Sequence, residues 1–368
     1  MINRAELKNF GPIKELDWQN LGKINLIIGN NGCGKSFLLK ALYSAVRTLE
    51  DYQRGDSPDF QKIDEILRYK LWWTFQPEKI SYLVSTLTDE DLFFSLIFNQ
   101  QTFNYSFGKD STKTQNFTSL ENKVMPRKEN SIFLPAKEVL SLHHLILKTR
   151  EEDKLFGFDD TYFDLAKALQ SPPLDIPSYF GFAEAGDSDG FNSPFYSEST
   201  TKGHQSDDFN KSRNLLEGMI GGRIEFDSIK KRWYFRKGEQ RFSMGTTAEG
   251  IKKIAILDTL LGNGYLSENS IIFFDEPEAN LHPQAISQLL DIIAVLANHG
   301  IQFFLASHSY FVVKKLFLIA QEQQLSIPVL SYQDNEWVQS DLKDGMPSNP
   351  IIQESIRLYK EEIFLASR

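Results

Sequence analysis

At 368 residues, with 41% hydrophobic and 24% charged side chains, the sequence is globular in composition and long enough for one large domain or two ordinary ones. Its formal net charge of −9 argues against a surface that wraps nucleic acid throughout, and its longest apolar runs, IIFF and FFLA, stop well short of the roughly 20 residues of a membrane-spanning helix. A single cysteine, Cys33, excludes an intrachain disulfide framework, and with no signal-like apolar core in residues 1–20 the expected setting is a reducing cytoplasm, with no membrane partner.

Alternation in MINRAELKNFGPIKELDW around Gly11-Pro12 predicts two antiparallel strands joined by a turn. KINLIIG follows as a fully buried strand and runs into Gly29-Asn30-Asn31-Gly32-Cys33-Gly34-Lys35-Ser36, which fits G-x-x-x-x-G-K-[ST] between a strand and a helix. Glycines there turn main-chain N–H groups inward into a positively polarised nest, and the N-terminus of the next helix adds partial positive charge. That field suits the phosphates of a nucleotide. The expected binding residues are Asn30, Asn31, Gly32, Cys33, Gly34, Lys35, Ser36 and Phe37, with Lys35 reaching the β- and γ-phosphates and the Ser36 hydroxyl helping to hold Mg²⁺.

Residues 35–50 and 61–71 predict helices, and LWWTFQPEKISYLV predicts a strand that stops at Pro77. DLFFSLIFNQQTFNYSFG predicts a hairpin, and SIFLPAKEV a buried strand leaving at Pro135. Residues 136–170 have helical spacing, whereas 171–211 are rich in Ser, Gly, Pro and Asp and read as a long polar loop or mobile lid. Strand–turn–strand character returns before residue 245, with Lys237-Gly238 at the turn. Residues 221–253 carry nine Lys/Arg against four acids, and KKRWYFRKGEQR interleaves basic residues with Trp233, Tyr234 and Phe235. Such a stretch is either a stacking and phosphate-contact surface or a solvated hairpin with one aromatic face packed inward.

From AEGIKKIAILDTLLGNG onward the order is helix, strand (SIIFFDE), helix, strand (IQFFLAS), helix, then a strand pair and a final helix. This alternation builds a parallel sheet with helices on its faces. The P-loop strand is expected to join that sheet, although 240 positions separate Lys35 from Asp275. The predicted fold is therefore α/β: a P-loop core with a mixed, mainly parallel sheet and a large helical and loop insertion.

Asp275 and Glu276 follow four apolar residues at the carboxyl end of a strand, where open α/β sheets bind ligands. Asp275 is placed to hold Mg²⁺ with Ser36, and Glu276 to polarise the water that attacks the γ-phosphate. The bland alternative is a turn opened by Asp-Glu-Pro. His308 ends the next apolar strand and is the candidate γ-phosphate sensor, against a purely structural hydrogen-bonding role. Thr246 or Thr247 is available to cap the helix that carries Glu249 in its first turn, a start that is either a capped helix or a second anion site.

The set NFGPI, GNNGCGKS, TTAEGIKK, DEPEANLHP and LASHSY resembles, in identity and order, the ATP-binding-cassette class of P-loop ATPases, specifically heads of the SMC, RecF and OLD type. The resemblance implies ATP and Mg²⁺ as cofactors, ATP hydrolysis to ADP and phosphate, and ATP sandwiched between two heads, hence a homodimer or higher oligomer. It implies a signature element at Thr247, Glu249 and Gly250 facing the partner's nucleotide, and it makes Gln76 the glutamine that links Mg²⁺ to the insertion. Three departures stand out. Thr247 takes the place of the usual serine, His282 replaces the usual D-loop aspartate, and no heptad array for a rod-like arm is present. Residues 1–135 and 221–368 are expected to form the two parts of the ATPase core and 136–220 the insertion.

LWWTFQPEKI, LPAKEVLSL and DEPEANLHP are also similar to small ATPases of bacterial anti-phage systems of the PtuA and AriA kind. Only 60 residues follow His308, too few for the Toprim nuclease of OLD proteins, so the expected effector is a separate polypeptide, a nuclease or toxin. The alternative is a RecF-like DNA-binding ATPase of repair, with nucleic acid as partner; a transporter nucleotide subunit is the weakest fit.

Overall fold

The computed structural model describes residues 1–54, 62–110, 117–125, 127–170 and 207–367. In chain order the elements begin with β1 (Ile2–Phe10), β2 (Ile13–Trp18), β3 (Ile24–Ile28), α1 (Lys35–Arg54) and α2 (Ile63–Phe75). Four strands follow, β4 (Leu92–Phe98), β5 (Gln101–Phe107), β6 (Ser119–Asn122) and β7 (Ser131–Leu134). Then come α3 (His143–Glu151), α4 (Asp160–Leu169) and α5 (Asp207–Ile220). A hairpin sheet, β8 (Arg223–Asp227), β9 (Arg232–Lys237) and β10 (Gln240–Ser243), precedes α6 (Glu249–Gly262) and β11 (Ile271–Asp275). The chain continues through α7 (Pro283–Asn298), β12 (Gln302–Ser307), α8 (Tyr310–Gln323), β13 (Pro328–Gln333), β14 (Glu336–Asp341) and α9 (Pro350–Ala366).

Among the described residues, six strands form the central sheet in the order β14-β13-β3-β12-β11-β7. Every pairing in it is parallel except β13 with β14. A mixed, mainly parallel sheet was the expectation, and the P-loop strand β3 lies in its middle, between strands formed by Gln302–Ser307 and Pro328–Gln333 near the other end of the sequence. β3, β11 and β12 are buried at every residue, as strands covered on both faces must be. Side chains alternate between the faces: Leu26, Ile28, Phe274 and Leu305 enter the core beneath α4 to α8, while Ile27, Phe273, Phe304 and Ala306 enter the one beneath α1. This second core is closed by an antiparallel sheet, β2-β1-β4-β5-β6.

Two local expectations are corrected. LWWTF is the last part of helix α2, which ends at Phe75 with Gln76 in the left-handed conformation (φ 49°) as its C-cap. Leu67, Leu71 and Thr74 recur at helical spacing on its buried face, and that stripe outweighs the strand preference of the aromatics. Between residues 221 and 244 there are three strands and not two. The turn at Gly238 (φ 56°) joins β9 to β10, and a second turn, ending at Lys231 (φ 51°), joins β8 to β9 without a glycine or proline to announce it. Of the predicted polar loop, 171–206 lies outside the described residues, and its last five residues open α5.

In that three-stranded sheet Trp233 and Phe235 are buried, packing the aromatic face inward. Arg236 and Arg241 gather on Glu225 at 3.3 and 4.0 Å, and Arg241 also meets Asp227 at 3.4 Å. Arg236 and Arg241 are thus answered locally, and of the two readings of KKRWYFRKGEQR the hairpin with its aromatic face packed inward is the one observed.

Candidate functional site

The order β3-β12-β11 in the central sheet decides which loops meet. Parallel strands end on the same side, so the P-loop after β3, His308 after β12, and Asp275-Glu276 at the end of β11 line up along one rim.

Within the P-loop, Gly32 and Gly34 have φ of 82° and 98°, a region that side chains with a Cβ rarely adopt. Asn30, Asn31 and Gly32 form the exposed rim, and Cys33 is half-buried with its thiol raised above its usual range by burial. Buried Lys35 directs its Nζ back over the loop, donating to the carbonyls of Gly29 (2.7 Å) and Asn30 (2.9 Å). α1 begins at Lys35, so the N–H groups of Lys35, Ser36 and Phe37 belong to the helix start that lacks intrahelical acceptors. The Phe37 ring serves packing: it meets Phe10 edge-on at 5.3 Å and Phe75 at 4.6 Å, under the β1–β2 turn.

Burial pushes the Asp275 carboxyl up; the Ser36 hydroxyl beside it acts in the opposite sense, Glu276 adds to the rise and Lys40 opposes it. Asp275 Oδ1 is buried without a hydrogen-bond partner. An orphaned carboxylate oxygen beside a serine hydroxyl is a hard-oxygen donor pair, which suits Mg²⁺. Ser36 and Asp275 are therefore the residues that would hold the ion.

Glu276 takes the left-handed conformation (φ 48°), a strain of about 1–3 kcal/mol for a residue other than glycine. Its N–H donates to the Ala306 carbonyl (2.9 Å), and its carboxylate lies 3.2 Å from His308 Nδ1. Glu278, which sequence reasoning passed over, is buried and ties the two strand ends together. Its Oε1 accepts from the Ser307 hydroxyl (2.7 Å) and the His308 N–H (3.2 Å).

α4 reaches the same rim. Asp159, its N-cap, accepts from Thr161 N–H (2.8 Å) and pairs with Lys40 at 2.6 Å, one turn along α1 from Ser36. Tyr162 is raised to about 12, first by burial and then by the charges of Asp159 and Asp275. Gln76 donates through Nε2 to the Phe158 carbonyl (3.0 Å). It does reach the segment leading into α4, but its observed hydrogen bond is to that segment and not to Ser36 or Asp275. Lys40, Asp159 and Tyr162 were missed because nothing local distinguishes them; the second glutamate of DEPE was the available signal for Glu278.

At the signature element, Ala248 is the N-cap of α6 and makes no side-chain cap bond, so neither threonine fills the expected role. Both hydroxyls instead donate to the Ser243 carbonyl, Thr246 at 2.9 Å and Thr247 at 3.1 Å. Glu249 accepts from Lys252 (2.8 Å). Gly250 has a reason within its own chain: a Cβ there would stand 2.7 Å from both the Asn280 carbonyl oxygen and Leu281 Cδ2. Gly250→Ala is accordingly expected to destabilise by about 1–2 kcal/mol, overpacking exceeding the roughly 1 kcal/mol gain in helix propensity, and thermal unfolding of the purified variant checks it.

A glycine-rich phosphate loop facing a strand-end Asp-Glu pair across a mainly parallel sheet defines a P-loop ATPase domain. Residues 24–314 match the family described as "AAA domain, putative AbiEii toxin, Type IV TA system", and the chain belongs to that family. Over 91% of its length it is 22% identical to an "ATP/GTP phosphatase" of Helicobacter pylori, of which it covers 96%. It is also 35% identical over 103 residues to an uncharacterized protein of Methanocaldococcus jannaschii; that match spans 28% of this chain and 44% of the relative. Among solved structures it is similar to an Smc head bound to the C-terminal winged-helix domain of ScpA (TM-score 0.49, 13% identity, 93% of this chain and 98% of that one). A second is the SMC head domain from Thermotoga maritima (TM-score 0.44, 12% identity, 92% and 98%). No helix among the described residues is long and apolar enough to cross a membrane.

Proposed function

We propose that this chain is a Mg²⁺-dependent ATPase, hydrolysing ATP to ADP and phosphate, whose nucleotide-dependent pairing with a second copy controls a separately encoded effector in bacterial anti-phage defence. The observation that carries the hydrolytic reading is the juxtaposition of the Ser36 hydroxyl with the orphaned, buried Asp275 carboxylate, with Glu276 and His308 beside it. Lys35 and the α1 N-terminus bind and orient the triphosphate. Glu276 polarises a water for attack, and His308 holds the Glu276 carboxylate in line. The magnesium ion, when bound, neutralises charge on the β- and γ-phosphates. The H. pylori relative's name, ATP/GTP phosphatase, supports hydrolysis. The family's description, which names a putative toxin of a type IV toxin–antitoxin system, supports a toxin–antitoxin setting. The signature residues Thr247, Glu249 and Gly250 would face the nucleotide of the second copy, Gln76 would join the Mg²⁺ shell, and the cytoplasm is the proposed setting.

The test is phosphate release by the purified chain with and without Mg²⁺, beside Asp275→Asn. Turnover that needs Mg²⁺ and falls by at least about 10²-fold in the variant is expected, because the orphaned oxygen becomes part of a neutral amide. Undiminished turnover in Asp275→Asn would overturn the assignment. The DNA-repair alternative is not carried forward, since Trp233 and Phe235 face inward and Arg236 and Arg241 are paired with acids.

A further inference from the structure

α6 opens with two adjacent lysines that do different things. Lys252 anchors the helix to the segment after β7, donating to the Ser141 hydroxyl (3.3 Å) and pairing with Glu138 (3.8 Å) as well as Glu249. Lys253 turns the other way. Its Nζ donates to the main-chain carbonyl of Glu276 at 2.7 Å and sits 5.8 Å from the centroid of the Phe274 ring. Glu276 is thus gripped on both sides, its N–H by the Ala306 carbonyl and its C=O by the Lys253 ammonium and, at 3.0 Å, the Ala279 N–H, in a left-handed conformation that residues with a side chain adopt uncommonly.

We propose that Lys253 is a positioning residue for hydrolysis, which holds the main chain of Glu276 so that its carboxylate stays beside His308 and Asp275, and which thereby couples the start of α6 to the water-polarising group. The inference rests on the hydrolytic reading of Glu276 given above. The same first two turns of α6 carry Gly250, packed on Asn280 and Leu281. A shift of α6 against β11 would therefore move Glu276 through Lys253 and the loop after it through Gly250. Burial brings the Lys253 ammonium down to about 8, against the raising charges of Glu278, Glu276, Asp275 and Glu249. Its charge, and with it the strength of the bond to the Glu276 carbonyl, changes within an accessible pH range. The titratable groups around it are Glu249 and Lys252 on α6, Lys137 and Glu138 after β7, and Asp275, Glu276 and Glu278 at and after β11.

The experiment compares the wild-type full chain with Lys253→Met, Lys253→Arg and Glu276→Gln, measuring ATP affinity by equilibrium binding and kcat at saturating ATP from pH 6.5 to 9.5. Misplacement of the carboxylate without loss of phosphate contacts should lower kcat of Lys253→Met by about 10–100-fold at pH 7.5, with ATP affinity within about threefold of wild type. Wild-type kcat should fall above about pH 8, and that basic limb should be missing from Lys253→Met. Lys253→Arg keeps a cation that does not deprotonate, so it should move the limb beyond pH 9.5 even if the methionine variant fails to fold. An unchanged basic limb in Lys253→Arg, a kcat within twofold of wild type in Lys253→Met, or an equal loss of affinity and kcat would each overturn the proposal. If Glu276→Gln itself turns over normally, the hydrolytic reading fails; if Glu276→Gln is dead and Lys253→Met is not, this inference alone fails.

Discussion

Glu276→Gln is expected to reduce ATP turnover by about 10²–10⁴-fold while leaving ATP affinity within a few-fold of wild type. The amide keeps the shape of the side chain and its hydrogen-bonding reach toward His308, 3.2 Å away, but no longer carries the charge proposed to polarise a water. None of the three contacts of its main chain, to Ala306, Ala279 and Lys253, involves the carboxylate, so the left-handed conformation survives the change. The Glu276 charge also adds to the upward push on Asp275, so its removal brings Asp275 back toward its ordinary range and leaves its hold on a cation intact or stronger. The measurement is steady-state phosphate release beside an equilibrium ATP titration. Normal turnover in the variant would remove Glu276 from the mechanism.

Lys70→Met is the second, and its effect falls on stability. Lys70 is buried on α2 and faces three carboxylates, Asp51 at 3.0 Å, Asp160 at 3.4 Å and Asp164 at 3.5 Å. Around them Arg47 reaches Asp164 (3.4 Å) and Asp51 (3.2 Å), Arg150 reaches Asp160 (2.6 Å) while stacking on Trp73, and Tyr43 donates to Asp164 (2.7 Å). Burial opposes the Lys70 charge, yet the carboxylates outweigh it and hold the ammonium protonated well beyond its usual range. Burial likewise pushes Asp164 up, but Lys70 and Arg47 more than reverse it; Asp160 remains raised, to about 6.

Taking one partner out of such a cluster leaves uncompensated buried charge, which costs about 3–5 kcal/mol, or a fall in Tm on the order of 5–10 °C. A carboxyl whose folded pKa lies above its unfolded value costs stability above that pKa and recovers it as the pH falls. The deficit of Lys70→Met should therefore be widest above pH 7 and narrow as the pH drops below about 6, which melts across that range would show. Equal melting of variant and wild type at pH 7.5 would mean that the cluster contributes nothing net. The cluster also joins α1, the P-loop helix, to α2 and α4, so its loss should loosen the packing that sets Asp159 against Lys40.

What the sequence made legible follows from what each feature needs to be seen. The P-loop and the Asp-Glu pair are local words, written in consecutive residues whose backbone chemistry is the same wherever they occur. The parallel sheet could be inferred because helices and buried strands alternate after residue 245. The identity of α2 was misjudged because Leu71, Trp72, Trp73 and Phe75 have side chains that suit strands, and only packing against α1 reveals which period they obey. The Lys40–Asp159 pair and the Lys70 cluster link positions up to 121 residues apart, and no spacing rule joins such residues before the fold does. Lys253 stood in the quoted stretch GIKK, but which of two neighbouring lysines turns inward is decided by the position of β11. Gly250 was assigned to a trans contact by resemblance, while its crowding against Asn280 is visible only in three dimensions.

The placement of β3 between β12 and β13 bears on how the molecule comes into being. The hydrogen bonds of the antiparallel sheet draw on residues 2–122 alone, whereas the core it covers is completed by Phe273, Phe304, Ala306 and Leu330 of later strands. β3 has neither neighbour until residues 302–333 have been synthesised, so its apolar edges wait for most of translation. Nucleotide competence therefore arrives late and all at once on a nascent chain, and a growing polypeptide that stalls before β12 holds a phosphate loop without the acid-bearing rim aligned against it.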